Sequence, residues 1–345
     1  MEKVCIYGSG NWGTTAAKII GENIPKFSGF HQTVNMFVHP EKFNGTELTE
    51  LINTTNENPK YLPGHKLTSN IHATSDLREA LDGVTMLVVV IPHQFLPSSM
   101  KAVAALIDTS KLKVISLIKG MYIAKDSIQT TTQAIEAILK VKPSVLSGAN
   151  IASEIAGHQI CESTLGCAFK SESDLWYNLF QTDYFNIQCV TDVYGVELYG
   201  ALKNVVAVGV GIAEGTGVGN NSKAAILRLG LLEMKKFTLH LFPDTPNDII
   251  LQSCGVADLV TSCMGGRNYK LGVEFSKTKK SFDQLEEELL GGQKLQGPAT
   301  AHEIYLYNKN HNLTEEFPLF TIIYQICYES RDTHDIFKTL HGLRL

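Results

Sequence analysis

The feature that most limits what this chain can fold into is a glycine-rich turn near the beginning of the sequence. An apolar run at residues 3–7 leads directly into Gly8, Gly10 and Gly13, which have the spacing G-x-G-x-x-G, and a helical pattern follows. A strand, this turn and a helix, in that order, are the fingerprint of a dinucleotide-binding domain. The first glycine allows the sharp turn, the second lets a pyrophosphate approach the backbone, and the third lets the helix pack on the strand. The sequence therefore predicts a doubly wound α/β sheet of the Rossmann type.

The helix that follows the turn strengthens this prediction. Its first N–H groups have no partner within the helix, and the helix dipole places a partial positive charge there, so a phosphate is favoured. We therefore predict that the whole turn binds the cofactor through Gly8, Ser9, Gly10, Asn11, Trp12 and Gly13.

The end of the second predicted strand, residues 33–38, bears on which dinucleotide is bound. An Asp or Glu there binds the adenosine ribose of NAD, whereas an arginine receives the 2′-phosphate of NADP. Glu41 follows the strand after a short interval, and no arginine is nearby, so the sequence favours NAD. His39 can stack on the adenine or can be a loop residue in solvent, and the sequence leaves both interpretations open.

Further strand patterns extend the predicted sheet as far as residue 190. The run at residues 84–91 is almost wholly apolar, which is typical of a central parallel strand covered on both faces. After residue 190 strand patterns almost disappear, so we place an NAD-binding domain at residues 1–190 and an all-helical domain at residues 191–345. The other predicted strands are residues 113–118, 144–146, 164–169 and 185–190.

Loops at the carboxyl ends of these strands carry candidate site residues, because ligands bind at that edge of an open α/β sheet. Phe95 lies in the loop after the central strand, where it can contact the cofactor or simply pack. Lys119 directly follows a later strand. Ala152 lies in a turn of glycine, alanine and asparagine that forms either a second wall of the cofactor site or a plain helix start.

The composition indicates a two-domain protein of the cytosol. With 345 residues, of which 44% are apolar and 19% charged, the chain can bury a sizeable core. A net charge of −5 argues against a nucleic-acid-binding surface. The seven cysteines are scattered and form no CxxC motif, so we expect reduced thiols and no metal site. A strand pattern starts at residue 3, so we expect no signal peptide and a cytoplasmic location.

The second domain is predicted to form around a very apolar helix, residues 192–217. Charged residues interrupt it too often for a membrane span, which needs about 20 apolar residues, so we expect a buried core helix. Lys203 and Asn204 lie within it. A buried ammonium is costly unless it has a partner or a function. Lys203 is therefore a candidate catalytic residue, although a buried stem with its ammonium in water is the alternative.

Two further pairs of polar residues in this domain are candidates for the site. Asp258 and Ser262 are four positions apart on one face of a predicted helix, so both can meet one lysine ammonium. Arg267 and Asn268 begin the next helix after two glycines. A guanidinium beside a helix N-terminus is suited to phosphate, because arginine binds it with two hydrogen bonds and the dipole assists. The alternative is an arginine that caps a surface turn.

Taken together, the motifs resemble one family over essentially the whole chain. In order and spacing the chain is similar to the eukaryotic cytosolic NAD-dependent glycerol-3-phosphate dehydrogenases, which it matches at GSGNWG, YLPGHKL, PHQF, SLIKG, GANIASEIA, GALKNVVAVGVG, SCGVADLVTSC, GGRN and GQKLQGP. The resemblance implies reversible conversion of dihydroxyacetone phosphate and NADH to sn-glycerol 3-phosphate and NAD+. It also implies a homodimer.

The resemblance implies roles for the polar residues named above. Lys203 matches the catalytic lysine of the family, and Lys119 matches a lysine that contacts the substrate. In the mechanism that follows from this match, Lys203 stabilises and protonates the carbonyl oxygen. The residues that hold its ammonium or the substrate hydroxyls are Asn204, Asp258 and Ser262.

Other matched positions bind the substrate phosphate or the cofactor. Arg267 and Asn268 match the phosphate-binding pair, and Arg267 also matches a position near the cofactor. The chain departs from the family at His39, where phenylalanine is usual, and at Ser262, where threonine is usual. The positions that match the cofactor side are Phe95, Ala152, Lys294 and Gln296.

Two other classes of function remain open at this point. A sister dehydrogenase that acts on another small substrate, such as a hydroxy acid, would not need the Gly-Gly-Arg-Asn phosphate site. A protein that only senses NADH would bind it without turnover. The presence of both Lys203 and Asp258 argues against this second class.

Overall fold

The structure is a computed structural model. It consists of short strands and helices in the first half of the chain and mainly of helices in the second half. The residues that the structure describes are 1–124, 127–278, 280–290 and 295–340.

The chain divides into two compact units, each made of two segments. The first unit comprises residues 1–118 and 131–193, and the second comprises residues 119–130 and 194–345. The division predicted at residue 190 assigns residues 119–130 to the first domain, whereas contacts group this segment with the helices of the second unit. Lys119 therefore belongs to the second unit.

Most of the strands form one sheet in the first unit. The strands are β1 Val4–Tyr7, β2 Val34–Phe37, β3 Lys42–Phe43, β4 Thr46–Glu47, β5 Ile71–Thr74, β6 Met86–Val89, β7 Lys113–Ser116, β8 Met121–Ala124, β9 Ser127–Thr130, β10 Ser144–Ser147, β11 Cys161–Gly166 and β12 Phe185–Val190. The order in the sheet is β12-β11-β10-β7-β6-β1-β2-β5, and two short hairpins pair β3 with β4 and β8 with β9.

The sheet has the strand order of dinucleotide-binding domains. From β5 through β10 all neighbours are parallel, and the chain order reverses between β1 and β6. Only the β10–β11 pair is antiparallel among the pairings described in this sheet. In such a sheet the ligand binds outside the carboxyl ends of the strands, where the order reverses. The glycine turn lies at that point because it follows β1.

Helices connect the strands and make up most of the second unit. The helices are α1 Asn11–Asn23, α2 Leu48–Thr55, α3 Leu77–Leu81, α4 Leu96–Leu106, α5 Thr131–Leu139, α6 Ala152–Ala156, α7 Lys170–Phe180, α8 Tyr194–Gly215, α9 Asn220–Leu241, α10 Asp258–Cys263, α11 Arg267–Thr278, α12 Phe282–Leu290, α13 Gln296–Asn310 and α14 Pro318–Tyr328. The 3₁₀ turns are Ile24–Lys26, His93–Phe95, Ile249–Leu251 and Thr333–Leu340, and a π-helical turn spans Ser253–Ala257.

The central strands of the sheet are covered on both faces. Every residue of β1 and β6 is buried. Strands of this kind need helices on each side, and α1 contacts α6 and α7 while α4 contacts α3 and α5. The predicted fold class, a doubly wound sheet followed by a helical domain, is confirmed.

The predicted strands are present, but their ends differ where pairing decides them. The sequence predicts a strand at residues 164–169, and the structure has β11 at Cys161–Gly166. β11 pairs with β12 along its whole length, from Cys161 opposite Phe185 to Gly166 opposite Val190. The first residues of β11 are half-buried or exposed, so they lie outside the apolar pattern of the sequence. Their pairing with β12 nevertheless makes them part of the strand.

The long apolar helix is the centre of the second unit, as predicted. α8 contacts α9, α10, α11, α13 and α14. It is long and apolar enough to cross a membrane, but its apolar stretch is wholly buried within the protein, as in a core helix. A Cβ at Gly211 would lie 2.2 Å from the carbonyl oxygen of Tyr269, so glycine there allows α11 to approach α8 closely. This close packing compensates for the poor helix propensity of glycine.

Candidate active site

The glycine turn has the geometry that a bound pyrophosphate requires. Gly8 has a φ of +127°, and a Cβ there would lie 2.3 Å from the carbonyl oxygen of Val90. A Cβ at Gly13 would lie 2.2 Å from the carbonyl oxygen of Gly8. At Gly10, by contrast, no atom of the described chain lies within 4 Å of the Cβ position. The protein's own packing requires the first and third glycines, and the second leaves the backbone open to a ligand.

The start of α1 adds to this fit with a dinucleotide. Gly10 is the N-cap residue, and the first turn of the helix contains no acidic residue to compete with a phosphate. Ser9 is buried and Asn11 is exposed. Trp12 packs edge-on against Phe185, with ring centroids 6.2 Å apart, so this side chain anchors α1 to the sheet. A cofactor contact of Trp12 stays a prediction.

Three other predicted cofactor residues lie in the first unit. Ala152 begins α6, and its carbonyl oxygen accepts a hydrogen bond from Thr15 Oγ1 at 3.2 Å. The start of α6 therefore lies directly beside α1, the helix that follows the glycine turn. Phe95 is 56% exposed and His39 is also exposed, so both are accessible to a ligand.

The last three predicted cofactor residues, Arg267, Lys294 and Gln296, belong to the second half of the chain. Gln296 is the first residue of α13, in the second unit, and is half-buried. Lys294 lies outside the described residues. Their contacts with the cofactor stay predictions.

The lysine of the apolar helix has the partners that the sequence predicts. Lys203 is only 8% exposed, and its Nζ donates to Asp258 Oδ1 at 2.8 Å and to Ser262 Oγ at 2.5 Å. Asp258 and Ser262 are also buried. The alternative of an ammonium that reaches water is therefore wrong, because the ammonium is held inside the protein by a carboxylate and a hydroxyl.

A second ammonium binds the same carboxylate, which the sequence does not reveal. Lys119 Nζ donates to Asp258 Oδ2 at 2.5 Å, so each carboxylate oxygen of Asp258 accepts from a different lysine. Burial, with a contribution from the nearby ammonium of Lys203, lowers the pKa of Lys119 to about 8, against the opposing effect of Asp258. The site thus holds two cations around one anion.

The local backbone explains how Asp258 and Ser262 come to face one lysine. The π-helical turn Ser253–Ala257 runs directly into α10, of which Asp258 is the first residue. Four positions further along α10, Ser262 lies on the same face. A Cβ at Gly255 would lie 2.1 Å from the carbonyl oxygen of Ile250, so the tight turn before α10 requires glycine. π-Helical turns of this kind are frequent at functional sites.

A network of amide groups lies beside this cluster. Asn268 Nδ2 donates to Asn204 Oδ1 at 3.0 Å, and Asn268 Oδ1 accepts from the backbone N–H of Gly297 at 2.9 Å. These bonds fix the orientation of the Asn268 amide, whose NH₂ group has a second hydrogen to donate. Arg267, the first residue of α11, is exposed and therefore accessible to a ligand, and its binding to phosphate stays a prediction. Gly297 lies in the motif GQKLQGP, but the sequence does not reveal that its backbone N–H binds Asn268.

Replacing Asp258 by asparagine is expected to lower the free energy of unfolding by about 3 kcal/mol, because two ammonium groups then lose their carboxylate. This value is the lower end of the free-energy cost of breaking a buried ion pair, because the side chain of Lys119 is 24% exposed. The midpoint of urea unfolding measures the effect. As a control, Glu316→Gln breaks an exposed ion pair with Lys236 and should leave the midpoint unchanged. Equal midpoints for both variants would contradict the stabilising role of Asp258.

All seven cysteines lie in the described part of the chain, and none of them forms a disulfide bond. Within the described ranges, no group of three or more His, Cys, Asp or Glu side chains is arranged to hold a metal ion. Strand order, glycine turn and buried lysine cluster together define a class of protein, the dinucleotide-dependent oxidoreductases.

Comparison with models of protein families shows which family of this class the chain belongs to. The model described as NAD-dependent glycerol-3-phosphate dehydrogenase N-terminus matches residues 3–173, and the model described as its C-terminus matches residues 192–338. The chain belongs to the family of NAD-dependent glycerol-3-phosphate dehydrogenases. It is an oxidoreductase whose cofactor is NAD, and the family resemblance seen in the motifs is confirmed.

Individual relatives are similar over nearly the full chain. The cytoplasmic NAD(+) glycerol-3-phosphate dehydrogenase of Homo sapiens is 46% identical over 99% of this chain and 98% of its own. The glycerol-3-phosphate dehydrogenase 1-like protein of Xenopus tropicalis is 46% identical over 99% and 97%. The structure of the Plasmodium falciparum glycerol-3-phosphate dehydrogenase matches with a TM-score of 0.95 and 37% identity, over 100% of this chain and 96% of that one.

Proposed function

We propose that this protein catalyses the reversible reduction of dihydroxyacetone phosphate by NADH to sn-glycerol 3-phosphate. The observation that carries the proposal is the buried ammonium of Lys203, held by Asp258 and Ser262. The family to which the chain belongs supports the choice of substrate. The names of several relatives also support a cytoplasmic location, and the resemblance in the motifs supports a homodimer.

Lys203 acts on the carbonyl oxygen of the substrate. NADH supplies a hydride to the C2 carbon, so negative charge develops on that oxygen. The ammonium of Lys203 stabilises this charge more strongly in the transition state than in the ground state, and it donates the proton that completes the alcohol. General acid catalysis of this kind contributes roughly 10²–10⁴-fold. In the reverse direction, neutral Lys203 accepts the proton from the hydroxyl.

Asp258, Ser262 and Lys119 set the properties of this acid. Asp258 and Ser262 accept two of the three N–H bonds of the Lys203 ammonium, and the third is the one that we assign to the substrate oxygen. Lys119 neutralises the other oxygen of Asp258 and adds positive charge near the reacting carbonyl. Removing Ser262 should therefore reduce the rate less than removing Lys203.

Arg267 and Asn268 bind the substrate phosphate. Both lie at the N-terminus of α11, where the helix dipole favours an anion. The hydrogen bonds of Asn268 to Asn204 and Gly297 hold its amide in place before the substrate arrives. Binding energy from the phosphate is thereby converted into correct orientation of C2.

A substrate comparison tests the proposal against its alternatives. The oxidation of NADH, followed by its absorbance, should be fast with dihydroxyacetone phosphate and slow with dihydroxyacetone or with a 2-keto acid. Fast turnover of the keto acid would indicate a sister dehydrogenase. Binding of NADH without turnover of any of the three would indicate a sensor.

The pH dependence of kcat/KM is expected to follow the protonation of the Lys119 ammonium. Its pKa is lowered from the ordinary value near 10.5 to about 8, so the ammonium form is present below pH 8 and is lost above it. We therefore expect kcat/KM for dihydroxyacetone phosphate to fall as pH rises through about 8.

Lys119→Arg is the matched variant for this profile. An arginine keeps its charge at all accessible pH values, so the alkaline decline should move to higher pH even if the rate is reduced. An unchanged decline in Lys119→Arg would assign it to another group.

A further inference from the structure

A buried side chain outside the predicted site, that of Asn58, binds the glycine turn and the helix that follows it. Asn58 is 0% exposed, and its Nδ2 donates to the carbonyl oxygen of Ser9 and to Thr14 Oγ1, both at 2.9 Å. Its Oδ1 accepts from the backbone N–H of Tyr61 at 3.2 Å. A satisfied buried amide of this kind is rigid, so Asn58 positions both the glycine turn and the segment that follows it, residues 58–62.

The same segment also binds the chain that leaves β2. Lys60 Nζ forms an ion pair with Glu41 Oε2, and the hydroxyl of Tyr61 donates to the same oxygen at 3.1 Å. The Lys60 ammonium lies 5.0 Å from the centroid of the Tyr61 ring. The side chains of Lys60 and Glu41 are only 34% and 20% exposed, so this ion pair is partly shielded from solvent.

These contacts place the ion pair on the adenosine side of the cofactor site. The backbone N–H of Gly8 donates to the carbonyl oxygen of Phe37, the last residue of β2, at 3.3 Å. The glycine turn and the end of β2 are thus adjacent. Within residues 58–62, Asn58 binds the glycine turn, and Tyr61 binds Glu41 in the chain that follows β2. In dinucleotide-binding domains, the region beyond the second strand meets the 2′ position of the adenosine ribose.

The sequence prediction of NAD rests on Glu41 and on the lack of a nearby arginine, but in the structure this carboxylate is paired with the cation Lys60. The usual rule associates an acidic residue with NAD and a basic residue with NADP. Here both are present and bound to each other. The hydrogen bond to Glu41 raises the pKa of Lys60, so this side chain is charged at neutral pH.

We propose that the ion pair of Glu41 with Lys60 sets the preference of this protein for NAD over NADP. The Glu41 carboxylate repels a 2′-phosphate and at the same time occupies the ammonium that would otherwise receive it. Removing the negative charge therefore both ends the repulsion and releases Lys60. This inference rests on the proposed binding of the dinucleotide at the glycine turn.

Binding of NADH and NADPH to the full chain, measured by nicotinamide fluorescence without substrate, tests the proposal. In Glu41→Gln we expect the Kd for NADPH to fall by about 10-fold or more, as expected for a hydrogen bond to a charged group, while the Kd for NADH changes by less than about 3-fold. In the double variant Glu41→Gln, Lys60→Met, most of the gain in NADPH affinity should be lost, because the released Lys60 ammonium is the group that binds the 2′-phosphate.

Tyr61→Phe is the matched control. It removes one hydrogen bond from Glu41 but keeps both charges, so the ratio of the two Kd values should stay within about 2-fold of the wild-type ratio. An unchanged ratio in Glu41→Gln would overturn the inference, as would a gain that survives the loss of Lys60. If the wild-type chain binds neither dinucleotide, the proposed function fails instead, so the two failures are distinguishable.

Discussion

Replacing Lys203 by alanine is expected to lower kcat for the reduction of dihydroxyacetone phosphate by about 10²–10⁴-fold, while the Kd for NADH changes little. The ammonium is the acid that the proposed reaction requires, and Asp258 and Ser262 hold it at 2.8 Å and 2.5 Å. Steady-state rates measure the loss, and nicotinamide fluorescence measures the retained binding of NADH in the same preparation.

Two further variants separate loss of chemistry from loss of structure. Lys203→Met keeps most of the buried stem, and Lys119 still pairs with Asp258, so the variant should fold with lowered stability and still lose the same activity. Lys236→Ala removes an exposed lysine of α9 in the same unit and should keep full activity. A folded Lys203→Met variant with near wild-type turnover would remove Lys203 from the mechanism.

Replacing Arg267 by alanine is expected to raise KM for dihydroxyacetone phosphate by about 100-fold, with a smaller change in kcat. This magnitude follows from the loss of two charged hydrogen bonds to phosphate at about 1.5 kcal/mol each, the lower end of the net range, which amounts to about 3 kcal/mol or roughly 100-fold. The variant Arg267→Lys keeps the positive charge but loses the paired geometry of the guanidinium, so an intermediate KM is expected.

The unphosphorylated substrate provides the internal control for this effect. With dihydroxyacetone, wild type and Arg267→Ala should be equally slow, because no phosphate is present for the guanidinium to bind. Arg228→Ala removes an exposed arginine of α9 and should leave KM for dihydroxyacetone phosphate unchanged. If Arg267→Ala behaves like Arg228→Ala, the phosphate site lies elsewhere.

The sequence by itself determined the class of fold and the kind of cofactor. The G-x-G-x-x-G turn and the buried strands are local patterns, and each depends on residues that are close along the chain. The same holds for Asp258 and Ser262, because a separation of four positions places both on one face of α10. These predictions need helical and strand periodicity and nothing about distant residues.

Only the tertiary structure showed that Asp258 binds a second lysine and that Glu41 is paired with a cation. Lys119 and Asp258 are 139 positions apart, and the hairpin of β8 and β9 that follows Lys119 groups with the helices of the second unit rather than with the sheet. Glu41 and Lys60 are 19 positions apart along the chain, with β3, β4 and α2 between them. Periodicity describes one element at a time, whereas these contacts depend on how separate elements pack. Two predictions therefore depend on that packing. They are the pH profile assigned to Lys119 and the preference for NAD assigned to Glu41 and Lys60.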